Sequence, residues 1–115
     1  PYSSAKGAGD LVFIAGQIGV DPTTKTASED FEEQLTQTLR NLEAVLSEND
    51  LTKKNIVNVR VYLTDMSLFD RLNAVYAPFF DGIAPSRECV GVKALPSVAG
   101  ETNLLVEISA VAFRG

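Results

Sequence analysis

Between Ile56 and Leu63 the hydrophobic period is two. Val57, Val59, Val61 and Leu63 form an unbroken apolar set, with Ile56, Asn58, Arg60 and Tyr62 between them. This is the pattern of a β-strand with one buried face, and the rest of the chain has to cover that face. On either side the period becomes helical. Asp30 followed by Glu33 predicts a capped helix start. Phe31, Leu35, Leu39, Leu42 and Leu46 then recur opposite Glu32, Glu33, Gln37, Arg40 and Glu43, which predicts a helix to about Asn49. Ser67 with Asp70 predicts a second helix start, with Leu68, Leu72, Val75, Tyr76 and Phe79 on one side. Pro78 lacks an amide hydrogen and is expected to bend or end that helix in its last turn.

The remaining elements read as strands. Leu11–Ala15 is a short run of β-formers closed by Gly16, and Asp21-Pro22-Thr23-Thr24 is a turn. Two more strands are expected at about Glu88–Ala94 and Leu104–Phe113, with a short extra one near Tyr2–Lys6. The class is therefore α+β: a mixed sheet with two helices packed on one face, in a single domain spanning residues 1–115. Two helices leave the other sheet face bare. That face shows Ile56, Tyr62, Leu105, Val111 and Phe113, so it is expected to pack against other subunits.

Composition narrows the chemistry. The chain has no His and one Cys, which removes Ser-His-Asp and Cys-His catalysis and a single-chain structural zinc site. Lys plus Arg is 10 against 15 for Asp plus Glu, a formal charge of −5 that disfavours nucleic acid and anionic lipid as partners. No apolar run approaches the ~18 residues of a membrane span, and no signal-peptide pattern opens the chain at Pro1. The lone Cys89 suits a reducing compartment. A cytoplasmic location is expected, or a mitochondrial one if a targeting segment precedes Pro1. Gly16-Gln17-Ile18-Gly19 matches neither nucleotide-binding glycine pattern.

What remains for chemistry is a small set. Counting alternately from Pro85-Ser86, Arg87, Cys89, Gly91 and Lys93 share one strand face, and Val90, Val92 and Ala94 share the other. The apolar trio must face the helices, so Arg87 and Cys89 are expected on the bare face. In the last strand Leu104, Val106, Ile108, Ala110 and Ala112 take the helix side, which puts Glu107 and Ser109 on that same bare face. Taken alone, Arg87 is either an interface cation or a ligand anchor. Glu107, a mid-strand carboxylate, needs a partner or water, and Cys89 reads first as a small buried hydrophobe.

The order and spacing of several segments resemble one family. They are Pro1-Tyr2-Ser3, Leu11 to Ile18, Asp21-Pro22, Gln34 to Leu42, Val61 to Met66, Asn73 to Tyr76, Pro85-Ser86-Arg87, Leu95-Pro96 and Val106 to Ala112. Over essentially the whole chain they are similar to the Rid (YjgF, or endoribonuclease L-PSP) family of imine deaminases. The resemblance implies a chorismate-mutase-like fold, a homotrimer with a ligand cleft at each subunit junction, and no metal or organic cofactor. It also implies hydrolysis of 2-iminoacid or enamine intermediates, such as 2-aminoacrylate, to 2-keto acids and ammonia. By position, Arg87 matches the family's substrate-carboxylate arginine and Glu107 its water-orienting acid. Tyr2, Gly16, Asn73 and Cys89 match further cleft positions. Two other readings stand beside this one: a non-catalytic binder of small carboxylates or interaction protein, and an endoribonuclease or translation inhibitor.

Overall fold

A computed structural model describes residues 1–115. Strands β1 (Ala5–Ala8) and β2 (Leu11–Ile18) form a hairpin and are followed by helix α1 (Phe31–Glu48). Then come β3 (Ile56–Leu63), helix α2 (Phe69–Phe80), β4 (Ser86–Gly91) and β5 (Val106–Phe113). The sheet order is β1-β2-β5-β3-β4, with β3 and β4 parallel and every other pair antiparallel. The expected mixed sheet and two helices are present.

The first helix forms as its residues dictate. Asp30 accepts a hydrogen bond from the Glu33 amide, and the apolar stripe from Phe31 to Leu46 is buried. The polar Gln34 and Thr38 are also fully enclosed in this helix. The Gln34 side chain donates to the Ser28 and Asn103 carbonyls and accepts from the Leu105 amide, so one buried amide ties α1 to the segment leading into β5. The hydrophobic core joins this stripe to Val59, Val61, Leu63, Leu72, Phe80, Val106 and Ile108. Each such side chain contributes roughly 1.5–3 kcal/mol by leaving water.

Four expectations change. The short N-terminal strand lies at Ala5–Ala8, where it pairs with Leu11–Ile14, and not at Tyr2–Lys6. The second helix is not opened by Ser67 and Asp70: Asp65 caps a 3-10 turn over Met66–Leu68 by accepting from the Ser67 amide, and α2 grows from that turn. As expected, it ends with Pro78 in its last turn, at Phe80, where Asp81 takes a left-handed conformation. The last strand begins at Val106, so Leu105 lies outside it and packs partly against the core.

The fourth change comes from a β-bulge. Ile56 pairs with Ala112 but Asn58 pairs with Val111, so Val57 is an extra residue. The parity of the strand reverses there. Ile56 turns into the core at 5% exposure and Val57 turns out at 45%, the opposite of strict alternation.

Candidate functional site

The strands place the two charged candidates on opposite faces. Along the parallel β3–β4 pair, Arg87 is in register with Val59 and Cys89 with Val61, and both valines point into the core. Arg87 and Cys89 therefore lie on the helix side, at the edge strand, and not on the bare face as alternation predicts. The physical reason is the length of β4. It ends at Gly91, so Val92 and Ala94, which set the expected parity, lie outside the strand. Val90, in register with Tyr62, faces outward instead.

Helix α2 receives the guanidinium. Arg87 Nη1 donates to Asn73 Oδ1 at 2.7 Å. Arg87 Cζ lies 4.8 Å from the centre of the Tyr76 ring and 5.5 Å from that of Phe69. No carboxylate pairs with it; the chain's one ion pair joins Arg71 to Glu32. Beside it, burial pushes the Cys89 thiol up and the guanidinium partly opposes this. The result is a protonated thiol, a poor nucleophile.

Glu107 stands on the bare face, half-buried, opposite Tyr62 and Ile18 in the neighbouring strands. A second bulge makes room for it. Between Ile14, which pairs with Ala110, and Gln17, which pairs with Ile108, β2 carries one residue too many. Gly16 falls in this bulge, and a Cβ there would sit 2.5 Å from Glu107 Oε2. Only glycine leaves the carboxylate this place. Asn41 of α1 fixes the end of the strand by donating to the Ile18 and Val20 carbonyls at 2.8 and 2.9 Å. Burial raises the Glu107 carboxyl above its ordinary value.

Next to this group the bare face forms a depression of about 250 Å³, lined by Phe13, Gly16, Asn58, Arg60, Ser109 and Val111 among others. Neither Arg87 nor Glu107 lines any of the four main depressions of the isolated chain. Tyr2 is 79% exposed in the segment before β1. So one chain unites Arg87 with Asn73 and Cys89, and Glu107 with Gly16, but does not bring the two sets together. No group of three or more Cys, Asp and Glu side chains stands where it could hold a metal ion.

The sequence pattern assigned Tyr76 to the core and took no note of Phe69. The signal was the spacing of Phe69, Asn73 and Tyr76, which puts two rings and an amide on one helix face.

The family profile described as Endoribonuclease L-PSP matches residues 1–114. The chain belongs to this family, the YjgF/Rid proteins. It is 41% identical to a RutC family protein of Aquifex aeolicus over 116 residues, covering 99% of this chain and 89% of that protein. Its fold is similar to that of E. coli TdcF with bound serine, with a TM-score of 0.91 and 34% identity over 100% of this chain and 89% of that one. It is also similar to RidA from an Antarctic Psychrobacter, with a TM-score of 0.89 and 34% identity over 97% and 87% of the two chains. As a Rid family chain it shares the α+β architecture of five strands and two helices with these neighbours.

Proposed function

We propose that this protein hydrolyses 2-iminoacids and their enamine tautomers, such as 2-aminoacrylate, to 2-keto acids and ammonia. The observation that carries this reading is Arg87: a half-buried guanidinium, held by an amide and two rings, with no protein carboxylate to neutralise it. Its remaining donors suit a small carboxylate, gripped by parallel charge-assisted hydrogen bonds. A relative of the same fold holds serine, itself a small amino carboxylate.

The acid comes from a second copy in this reading. Leu11, Phe13, Val90 and Phe113 are exposed apolar residues on the bare face that also carries Glu107, an area that favours association. A homotrimer that covers this face brings Glu107 of one subunit to the β4 edge of the next, where Arg87 waits. Both candidate groups then belong to one cleft, in trans.

The chemistry requires little. The imine carbon is already electrophilic. Arg87 fixes the carboxylate and so the position of that carbon, while Glu107 holds a water against it. Water adds to the carbon as Glu107 takes its proton, and that proton passes to nitrogen. Glu107 next takes the hydroxyl proton of the resulting carbinolamine and gives it to the amino nitrogen, so the C–N bond breaks to leave a keto group and ammonia. A carboxyl raised by burial is a stronger base for this transfer, which is worth roughly 10²–10⁴-fold. RNA is the weaker reading, given the −5 charge and the absence of His.

The test generates the enamine in place with a serine or threonine dehydratase and follows its decay with and without this protein. Acceleration that Arg87→Ala abolishes, with the fold intact by circular dichroism, is expected. No acceleration, or full acceleration by Arg87→Ala, overturns the reading.

A further inference from the structure

We propose that Tyr76, assisted by Phe69, is a positioning residue: its ring is the platform that holds the Arg87 guanidinium as an anion receptor without neutralising it. The inference rests on the carboxylate-binding reading above and adds to it the residues that set the receptor's geometry.

A half-buried guanidinium needs a partner. The common partner is a carboxylate, which would pair with the fork and occupy the donors a ligand needs. Here the cation is instead in contact with ring faces, at 4.8 Å from Tyr76 and 5.5 Å from Phe69. The quadrupole of an aromatic ring attracts a cation while carrying no net charge. Asn73 adds one neutral acceptor. The charge is thus placed and left unbalanced, which is what a binding site for an anion requires.

The platform itself is anchored. Tyr76 packs on Phe80 with ring centres 4.8 Å apart, and Phe80 meets Phe79 edge-on at 4.9 Å. Tyr76 and Phe80 are both buried in the core. The Tyr76 hydroxyl is buried and makes no hydrogen bond within the chain. Burial pushes that phenol up to about 12, so it stays neutral beside Arg87. Arg87 meets Tyr76 through the ring and not through the hydroxyl.

The experiment compares Tyr76→Phe, which keeps the ring, with Tyr76→Leu, which keeps only apolar bulk. Binding of 2-oxobutanoate, a product of the proposed reaction, is measured by calorimetry, and KM and kcat by the coupled assay. Arg87 is also observed directly through its Nε–Hε resonance. Tyr76→Phe is expected to match the wild type in all three. Tyr76→Leu is expected to weaken 2-oxobutanoate binding roughly five- to thirtyfold, the loss of one desolvated cation–π contact, and to raise KM more than it lowers kcat. The ring-current shift of the Arg87 resonance is expected in wild type and Tyr76→Phe and lost in Tyr76→Leu.

A folded Tyr76→Leu protein that binds and turns over like wild type overturns the platform, as does a Tyr76→Phe protein as impaired as Tyr76→Leu. If Tyr76→Leu does not fold, Phe69→Leu, at the rim of the same cradle, carries the test with a two- to fivefold loss expected, on the order of an exposed cation–π contact; no loss there overturns the proposal. Wild-type protein that binds no 2-oxobutanoate while its Arg87 resonance remains ring-shifted overturns the imino-acid reading and leaves the platform standing.

Discussion

Glu107 lies against the backbone of Gly16, 2.5 Å from where a Cβ at that position would be. The obstacle is the far end of a flexible side chain, so Gly16→Ala should leave the fold intact and displace the carboxylate. Misplacing a reacting group by about 1 Å costs up to 10²-fold in rate. Gly16→Ala is therefore expected to lower kcat by roughly that factor, with 2-oxobutanoate binding within a few-fold of wild type, as read by steady-state kinetics and calorimetry.

Arg87→Lys keeps the positive charge but loses the planar fork and the stacking surface. It is expected to raise KM at least about tenfold, which corresponds to ~1.4 kcal/mol. Initial rates across a range of dehydratase-generated enamine check this, alongside a circular dichroism spectrum matching wild type.

Burial raises the Glu107 carboxyl above its ordinary value, and this has two consequences for pH dependence. The group acts as a base only when ionised, so the acid limb of kcat/KM should lie above the ordinary carboxylate range, and Glu107→Asn should abolish that limb along with most of the rate. For stability the sign is fixed by linkage. A carboxyl whose folded value is raised favours the folded state most fully below the unfolded value, and that contribution is lost as pH rises through the folded one. Glu107→Gln should thus raise the Tm at neutral pH relative to wild type, and the difference should close in acid. Thermal melts from pH 4 to 8 decide it.

Gln34 is fully buried and holds three backbone groups, at Ser28, Asn103 and Leu105. Gln34→Leu fills similar volume but strands all three. A loss of about 2–4 kcal/mol in urea unfolding is expected.

The sequence reveals most where structure depends on near neighbours. The stripe from Phe31 to Leu46 and its Asp30 cap can be read directly, because a helix face is set by residues three and four apart. Strand faces are harder to read, since one extra residue inverts everything beyond it. The bulge at Val57 exchanged the faces of Ile56 and Val57, and the early end of β4 at Gly91 reversed the side on which Arg87 and Cys89 were expected. The contact of Gly16 with Glu107 joins residues distant in the chain and has no local signal at all. Asn73 stands out only by its match to a family position, Arg87 and Glu107 by their strand positions as well. Alternation along β5 puts Glu107 on the face it occupies, whereas the side of Arg87 follows only from the register of β3 with β4.

Because Arg87 and Glu107 occupy opposite faces of one sheet, each chain of the proposed trimer contributes halves to two different clefts. Two inactive variants should then restore one another. Arg87→Ala and Glu107→Gln chains, unfolded together in equal amounts and reassembled, would form mixed trimers that each contain one intact cleft, recovering about a quarter of wild-type activity under random assembly. A site built within a single chain would recover none, so this complementation reads out the architecture directly.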